Sequence, residues 1–248
     1  MRGRTESPDF ATLARATPAR IGLGRAGTRY TTKAQLELRA DHARAVDAVV
    51  TEVSAQWPRR NKMLELHSRA RSREEFLLKP ELGRMLSDES TIQLRKLSKK
   101  FAAASAKPSV LVCVGDGLSS HAVEVNAAPL VRKIIAALGN RYRTMPPIFI
   151  RNARVRIEDH LGELLAAGLV CMLIGERPGL VTSESLSAYV IYRPRLNSLE
   201  PDRTVISNIH RGGLKLDAAA RQISTLIADA IRLKGSGNAL AHSRSPSS

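Results

Sequence analysis

Two short segments place an acid beside glycine at the end of an apolar run: Val114-Gly115-Asp116-Gly117, and Ile174-Gly175-Glu176 followed by Arg177-Pro178-Gly179. Glycine permits close backbone approach, and a neighbouring carboxylate accepts hydrogen bonds, so both segments read as binding edges for a polar ligand. The same spacing also serves an acid that caps a helix or pairs with a surface arginine, and the residues leave both readings open for Asp116 and Glu176. A third polar segment gathers Asp202, Arg203, Ser207, Asn208 and His210. It reads either as a binding loop or as a hydrogen-bonded turn ahead of the last helix.

Residues able to carry chemistry unaided are scarce. The six histidines show no HExxH, no paired ligand spacing and no cysteine partner, which argues against zinc. Cys113 and Cys171 each sit inside an apolar run and read as core thiols. Ser119 lacks the G-x-S-x-G frame of a nucleophile elbow. Gly22 to Gly27, "GLGRAG", matches the letters of a dinucleotide fingerprint, but "ARATPARI" before it is no apolar strand. That loop, with Arg20, Arg25 and Arg29, instead suits packing against an acidic or phosphate-bearing surface. The chain is therefore expected to hold no catalytic residue and no metal ligand of its own.

The elements that position these segments follow from periodicity. Residues 1–19 lack a stable hydrophobic period, and the tail 241–248 reads as disordered. Over 20–105 the pattern predicts an N-terminal helical region. Its first helix lies in "KAQLELRADHARAVDAVVTEV", with Leu36, Leu38, Ala45, Val46, Val49 and Val50 as apolar positions. A second spans "NKMLELHSRARSREEFLLKP" and stops at Pro80, and a third follows with Ser87 capping its second half. From 106 to 240 continuous apolar strands alternate with helices: "SVLVCV", "IFIRNARVRI", "GLVCMLIG" and "SLSAYVIYRP" are the strands, and the last helix ends at Gly235. Such strands imply an α/β fold, a mostly parallel sheet covered by helices on both faces, with ligands beyond the carboxyl ends of the strands.

Composition narrows the partners. The 248 residues carry a formal net charge of +16, which favours an acidic partner, yet the basic residues are scattered and only 4% of residues are aromatic. Stacking platforms for single-stranded nucleic acid are thus scarce, and nucleic acid is not the expected partner, although a basic module for nucleic acid or another anionic ligand stands as the alternative reading. No apolar run approaches the roughly 20 residues that span a bilayer, and the first 20 residues have no signal-peptide core, so a cytoplasmic chain is expected.

Taken in order, "RIGLGRAGTRYTT", "LRADHARAVDAV", "PELGRML", "GDGLSSHAV", "RVRIEDHLGELL", "LIGERPGL", "SESLSAYVIYRPR", "DRTVISNIHRGG" and "KGSG" closely resemble the small (light) subunit family of ethanolamine ammonia-lyase, from about Arg20 to Gly237. The resemblance implies adenosylcobalamin-dependent conversion of ethanolamine to acetaldehyde and ammonia by a hetro-oligomer. A large subunit there binds ethanolamine, and the small subunit completes the cobalamin site at the interface. Cobalt–carbon homolysis starts the reaction, which accounts for the poverty of catalytic motifs here. The region 106–240 becomes the cobalamin-site domain, and the setting becomes the cytoplasm or the interior of a bacterial microcompartment. Three positions carry over as cofactor contacts: Val155, Glu176 and Val205, the last where relatives can have cysteine. Glu176 would accept hydrogen bonds from the amides that rim the corrin, with the glycines around it keeping the backbone close. The chain departs from the family at Asn152-Ala153, where Tyr-Gly is usual, and near Lys215, where a Pro-rich continuation is lost. The cobalamin-ligand motif D-x-H-x-x-G is absent, since Asp159 and His160 are adjacent.

Overall fold

The computed structural model describes residues 9–17, 19–101 and 107–240. The tail expected over 241–248, residues 1–8 and 18 of the segment 1–19, and the junction near residue 105 lie outside the described residues.

The chain enters through α1 (Phe10–Ala16), capped by Asp9, and a hairpin of β1 (Arg25–Ala26) and β2 (Arg29–Tyr30). The Gly22–Gly27 segment runs into this hairpin with no strand before it among the described residues. Helix α2 (Thr32–Val50) buries only Ala34, Asp41 and Ala48. Leu36, Leu38, Val46 and Val50, expected on a packed face, are exposed.

Next come α3 (Trp57–Arg60), β3 (Leu64–His67), α4 (Arg73–Leu78) and α5 (Asp88–Phe101). The single helix expected over 61–80 is thus a strand and a short helix. Leu64 and Leu66 alternate with Glu65 and His67, and pairing with a neighbouring strand wins over helix propensity. Ser87 caps α5 as expected, its Oγ accepting from Ser90 N at 3.1 Å.

Strand β4 (Ser109–Gly115) leads into α6 (Ser120–Ala122), which passes through a wider turn over Val123–Ala127 into α7 (Ala128–Leu138). Then follow β5 (Arg143–Thr144), β6 (Ile148–Arg151), α8 (Ile157–Leu165), β7 (Leu169–Gly175), β8 (Leu186–Tyr192), β9 (Arg203–Ile209) and α9 (Leu216–Leu233). Two expectations change. The strand read through Ile157 stops at Arg151, because Asn152 takes φ +55° and turns the chain away. The polar segment after Asp202 is largely a strand rather than a loop.

The sheet order is β3-β6-β4-β7-β8-β9, with β5 beside the start of β4. β3, β6, β4, β5 and β7 run parallel, while β8 and β9 add antiparallel beyond β7. Every residue of β4 and β7 is buried because successive side chains enter opposite cores. Val110, Val112, Val114, Leu169, Cys171 and Leu173 pack under α7 and α9. Leu111, Cys113, Val170 and Met172 pack under α5 and α8. This is the α/β fold that the strand pattern implied. No helix among the described residues is long and apolar enough to cross a membrane.

Candidate functional site

The carboxyl ends of β4 and β7 meet backbone to backbone. Gly117 sits at φ +57°, and a Cβ there would fall 2.3 Å from the Gly175 carbonyl oxygen. A Cβ on Gly175 would fall 2.3 Å from the Ser119 carbonyl oxygen, and Leu118 N donates to Gly175 O at 3.0 Å. These glycines are needed by the two turns themselves, not by a ligand approaching the backbone.

The two acids, alike in sequence, part ways. Asp116 is fully buried, and its carboxylate accepts from Asn152 N at 2.8 Å and Ala153 N at 2.9 Å, with Arg73 Nη1 at 3.6 Å. Burial raises this carboxyl above the ordinary range against the pull of Arg73 and the two amides. Arg73 also donates to Val49 O and Gly117 O, at 2.7 and 2.8 Å, so one ion pair ties α2, α4, the turn after β4 and the turn after β6 together. Asp116 is therefore an internal anchor that shapes the turn Asn152–Arg156 and so places Val155.

Glu176 stays half exposed. Its Oε1 accepts from Ser187 Oγ at 2.5 Å and from Asn208 N at 3.0 Å, while the described residues donate no hydrogen bond to Oε2. Asn208, at φ +60°, is in turn held by His210, whose Nε2 lies 2.8 Å from Asn208 Oδ1 while its Nδ1 accepts from Gly212 N at 3.1 Å. Accepting at Nδ1 makes Nε2 the protonated nitrogen, the donor to Asn208. The polar segment is thus both a strand and a hydrogen-bonded turn, and the turn braces Glu176.

Arg203, at the start of β9, is buried against α8. Its Nε donates to Glu158 Oε1 at 2.7 Å, Nη2 to Asp159 Oδ2 at 2.5 Å and Nη1 to Leu199 O at 2.7 Å. Burial raises both carboxyls, most strongly Glu158, and Glu158 Oε2 and Asp159 Oδ1 have no hydrogen-bond partner among the described residues. This clamp pins the strand that carries Val205 to the helix that follows Val155.

Val155 and Glu176 line one cavity of about 210 Å³, together with Leu118, Arg154, Ser187 and Tyr189. Val205 is the partner of Tyr189 across the β8–β9 ladder, and is 49% exposed. Val155 and Glu176 therefore stand at the sheet's carboxyl end, in the turn after β6 and just past β7, while Val205 lies in the middle of β9, level with Met172 through Tyr189. The other residues singled out by type lie elsewhere. Cys113 and Cys171 are buried free thiols whose pKa values burial raises. His160 is buried and its Nδ1 accepts from Leu86 N at 3.2 Å. Arg20 pairs with Asp41 and stays exposed, as Arg25 and Arg29 do. No group of His, Cys, Asp and Glu that could hold a metal ion occurs among the described residues.

The ethanolamine ammonia-lyase light chain family matches residues 7–241. The chain belongs to that family. It is 42% identical over 224 residues to the ethanolamine ammonia-lyase small subunit of Clostridioides difficile, covering 89% of this chain and 74% of that protein. The small subunit of Lachnoclostridium phytofermentans is 43% identical over 222 residues, with 89% and 73% covered, and that of Fusobacterium nucleatum is 39% identical over 241 residues, with 97% and 80% covered. Asn152 and Ala153 suit their places in the fold: asparagine is among the residues that best tolerate positive φ, and Ala153 is fully buried against Gly115. Sequence reasoning missed the Asp116–Arg73 and Arg203–Glu158–Asp159 clamps, since each joins residues more than 40 positions apart.

Proposed function

We propose that this chain is the small subunit of an adenosylcobalamin-dependent ethanolamine ammonia-lyase and completes the cobalamin site at an interface with a large subunit. The observation that carries the reading is the convergence of Val155 and Glu176 in one cavity, with Val205 beside Tyr189 at its margin. The residues present fit the cofactor. Glu176 offers an oxygen without an internal donor to the amide N–H groups on a corrin rim, and Val155, Tyr189 and Val205 offer apolar contact to its edge. Bound there, adenosylcobalamin supplies a cobalt–carbon bond weak enough to break homolytically and begin hydrogen abstraction from ethanolamine. This chain's residues hold and orient: Ser187 and Asn208 fix the Glu176 carboxylate, and Asp116 fixes the turn bearing Val155.

The covering large subunit has a surface to meet. β9 is the last strand of the sheet, with Val205, Ser207 and Asn208 exposed, and Leu180, Val181 and Leu199 are exposed on the loops beside β7, β8 and β9. An open edge strand with apolar residues around it is a surface that proteins normally cover. Ethanolamine is bound mainly by that partner, which leaves this chain with no catalytic residue to supply. Co-expression with a cognate large subunit is expected to give ethanolamine-dependent ammonia release when adenosylcobalamin is added, and none from either chain alone. A soluble complex saturated with cofactor but inactive on ethanolamine and other small amino alcohols would overturn the reading.

A further inference from the structure

The cleft of Val155 and Glu176 does not account for a net charge of +16, and part of that charge gathers at the opposite end of the sheet. A cavity of about 560 Å³ opens where β4 and β7 begin and β8 ends, lined by Lys107, Arg143, Arg193, Arg195 and Lys234 beside Tyr192. The seven residues of β4 separate it from Gly115, about 20 Å at ~3.3 Å per residue. Among the described residues no aspartate or glutamate lines it. The acids on the framing helices are engaged elsewhere: Glu163 of α8 accepts from Leu196 N at 2.9 Å, and Asp229 of α9 pairs with Arg232 at 2.8 Å.

The backbone sets where these cations stand. Arg193 follows β8 at φ +46°, its N donating to Gly168 O at 3.0 Å and its guanidinium carbon lying 5.4 Å from the centre of the Tyr192 ring. Arg195 N donates to Ser198 Oγ at 2.8 Å, and Lys234 caps the end of α9. Arg193, Arg195 and Lys234 form no ion pair with a described residue. Helix ends explain part of the charge, because α8 and α9 both stop at this cavity and a carbonyl end carries about half a negative charge. Two such ends offset about one of the five cations and leave about four. Like charges around one recess raise its potential and draw anions into it.

The shape and the donors select the anion. A concave site of this volume suits a small ligand better than a flat protein surface, and the planar forks of three arginines match phosphate oxygens. One phosphate group brings at most about two negative charges, so balancing the recess takes a chain of them. We propose that this recess binds an oligophosphate anion, the run of linked phosphates that a nucleoside triphosphate presents. The inference is independent of the cobalamin reading, since none of the residues of the cleft lines this cavity.

The test is isothermal titration of the complex reconstituted with the large subunit, with magnesium left out, using inorganic tripolyphosphate, ATP and orthophosphate as probes. One tripolyphosphate per small subunit should bind, at least tenfold more tightly than orthophosphate, and more weakly as salt rises. Arg193→Gln and Arg195→Gln should each weaken it about tenfold. Arg132→Gln with Arg221→Gln, which removes charge from exposed positions on α7 and α9, should leave it within about twofold of wild type. ATP bound as tightly as tripolyphosphate, or more tightly with the gain lost in Tyr192→Leu, supports the proposal; the second result adds a stacked base. No binding, or equal losses in the recess and control variants, would overturn it and leave only diffuse attraction to net charge. Binding by the free chain that vanishes in the complex would also overturn it, giving the recess to acidic residues of the partner. A single-stranded DNA 20-mer bound more tightly than tripolyphosphate through the same arginines would overturn it in favour of a nucleic-acid backbone. Arg195 is exposed and lies outside the left-handed region, so its variant decides the matter if Arg193→Gln does not fold.

Discussion

Arg203→Met should destabilise this chain severely, and the loss should depend on pH. Arg203 makes three hydrogen bonds, two of them to the buried carboxylates of Glu158 and Asp159 at 2.7 and 2.5 Å. Methionine replaces the volume of the stem but leaves two acids in a dry site, where each already has one oxygen without a partner among the described residues. Removing one member of such a buried cluster costs about 3 to 5 kcal/mol. Taking about 4 kcal/mol near pH 7.5, and a urea dependence of about 3 kcal/mol per molar for a chain of this size, the unfolding midpoint should fall by about 1.3 M.

The sign of the pH effect follows from the raised carboxyls. A group whose folded pKa exceeds its unfolded one stabilises the fold most below the unfolded value, and that contribution is lost as pH rises through the folded value. Without Arg203 the folded values rise further, so the variant's deficit should shrink as pH falls, by up to about 1.4 kcal/mol per unit for each acid. Urea unfolding at pH 7.5 and pH 5.0 should therefore show a deficit at least halved at the lower pH. Glu158→Gln keeps an acceptor for Arg203 Nε and removes one of two negative charges sharing one guanidinium, so it should lie within about 1 kcal/mol of wild type. A deficit in Arg203→Met below about 1 kcal/mol at pH 7.5, or one equal at both pH values, would refute the buried-clamp reasoning.

In the reconstituted complex, Glu176→Gln and Glu176→Ala should weaken cofactor binding in that order, the alanine by about 1 to 3 kcal/mol because Ser187 and Asn208 also lose their acceptor. Turnover at saturating cofactor should change much less, and abolished turnover with unchanged affinity would assign Glu176 a chemical role instead. Gly117→Ala should cost about 3 kcal/mol or more, since it combines positive φ with a Cβ 2.3 Å from a backbone oxygen; a melting temperature equal to wild type would show that the turns give way. Cys113 and Cys171 should both resist a thiol reagent in the native chain and react fully in urea, because burial holds their pKa values up; rapid native labelling of either would contradict the core placement.

Strands β4 and β7 were legible because an unbroken apolar run bounded by glycine has few other homes than the middle of a parallel sheet. Strand β3 was not, since four residues, half of them polar, lie between segments that favour helix, and only pairing with Ile148–Arg151 makes them extended. Strand β9 was hidden by its polar residues, whose partners come from α8 and from the end of β7. Glu176 and Asp116 could not be told apart from their neighbours in sequence. What separates them is that the turn after β6 folds over Asp116 and leaves Glu176 open. On α2 the apolar pattern was real but its destination was not, since Leu36, Leu38, Val46 and Val50 face away from both cores.

The two buried clamps hold the three proposed contact positions in fixed relation to one another. Asp116 holds the turn that ends in Val155, Arg203 holds the strand that carries Val205, and Ser187 with Asn208 holds Glu176 between them. Each position sits on a different element, and each is fixed by hydrogen bonds to a neighbour rather than by its own rotamer. A large, nearly rigid ligand gains affinity from such a wall only if the three contacts keep their spacing before it arrives, because ordering them on binding would consume the same free energy. That places the functional demand on groups that never touch the ligand. It also predicts that losing Arg203 or Asp116 weakens cofactor binding even where the chain stays folded, with the loss falling on affinity and not on the turnover of the saturated complex. Arg203→Lys separates the two effects: it keeps the charge but cannot reach Glu158, Asp159 and Leu199 together, so it should retain more stability than methionine while losing cofactor affinity about tenfold. Affinity equal to wild type in a folded Arg203→Lys complex would show that the strand holds its place without the clamp.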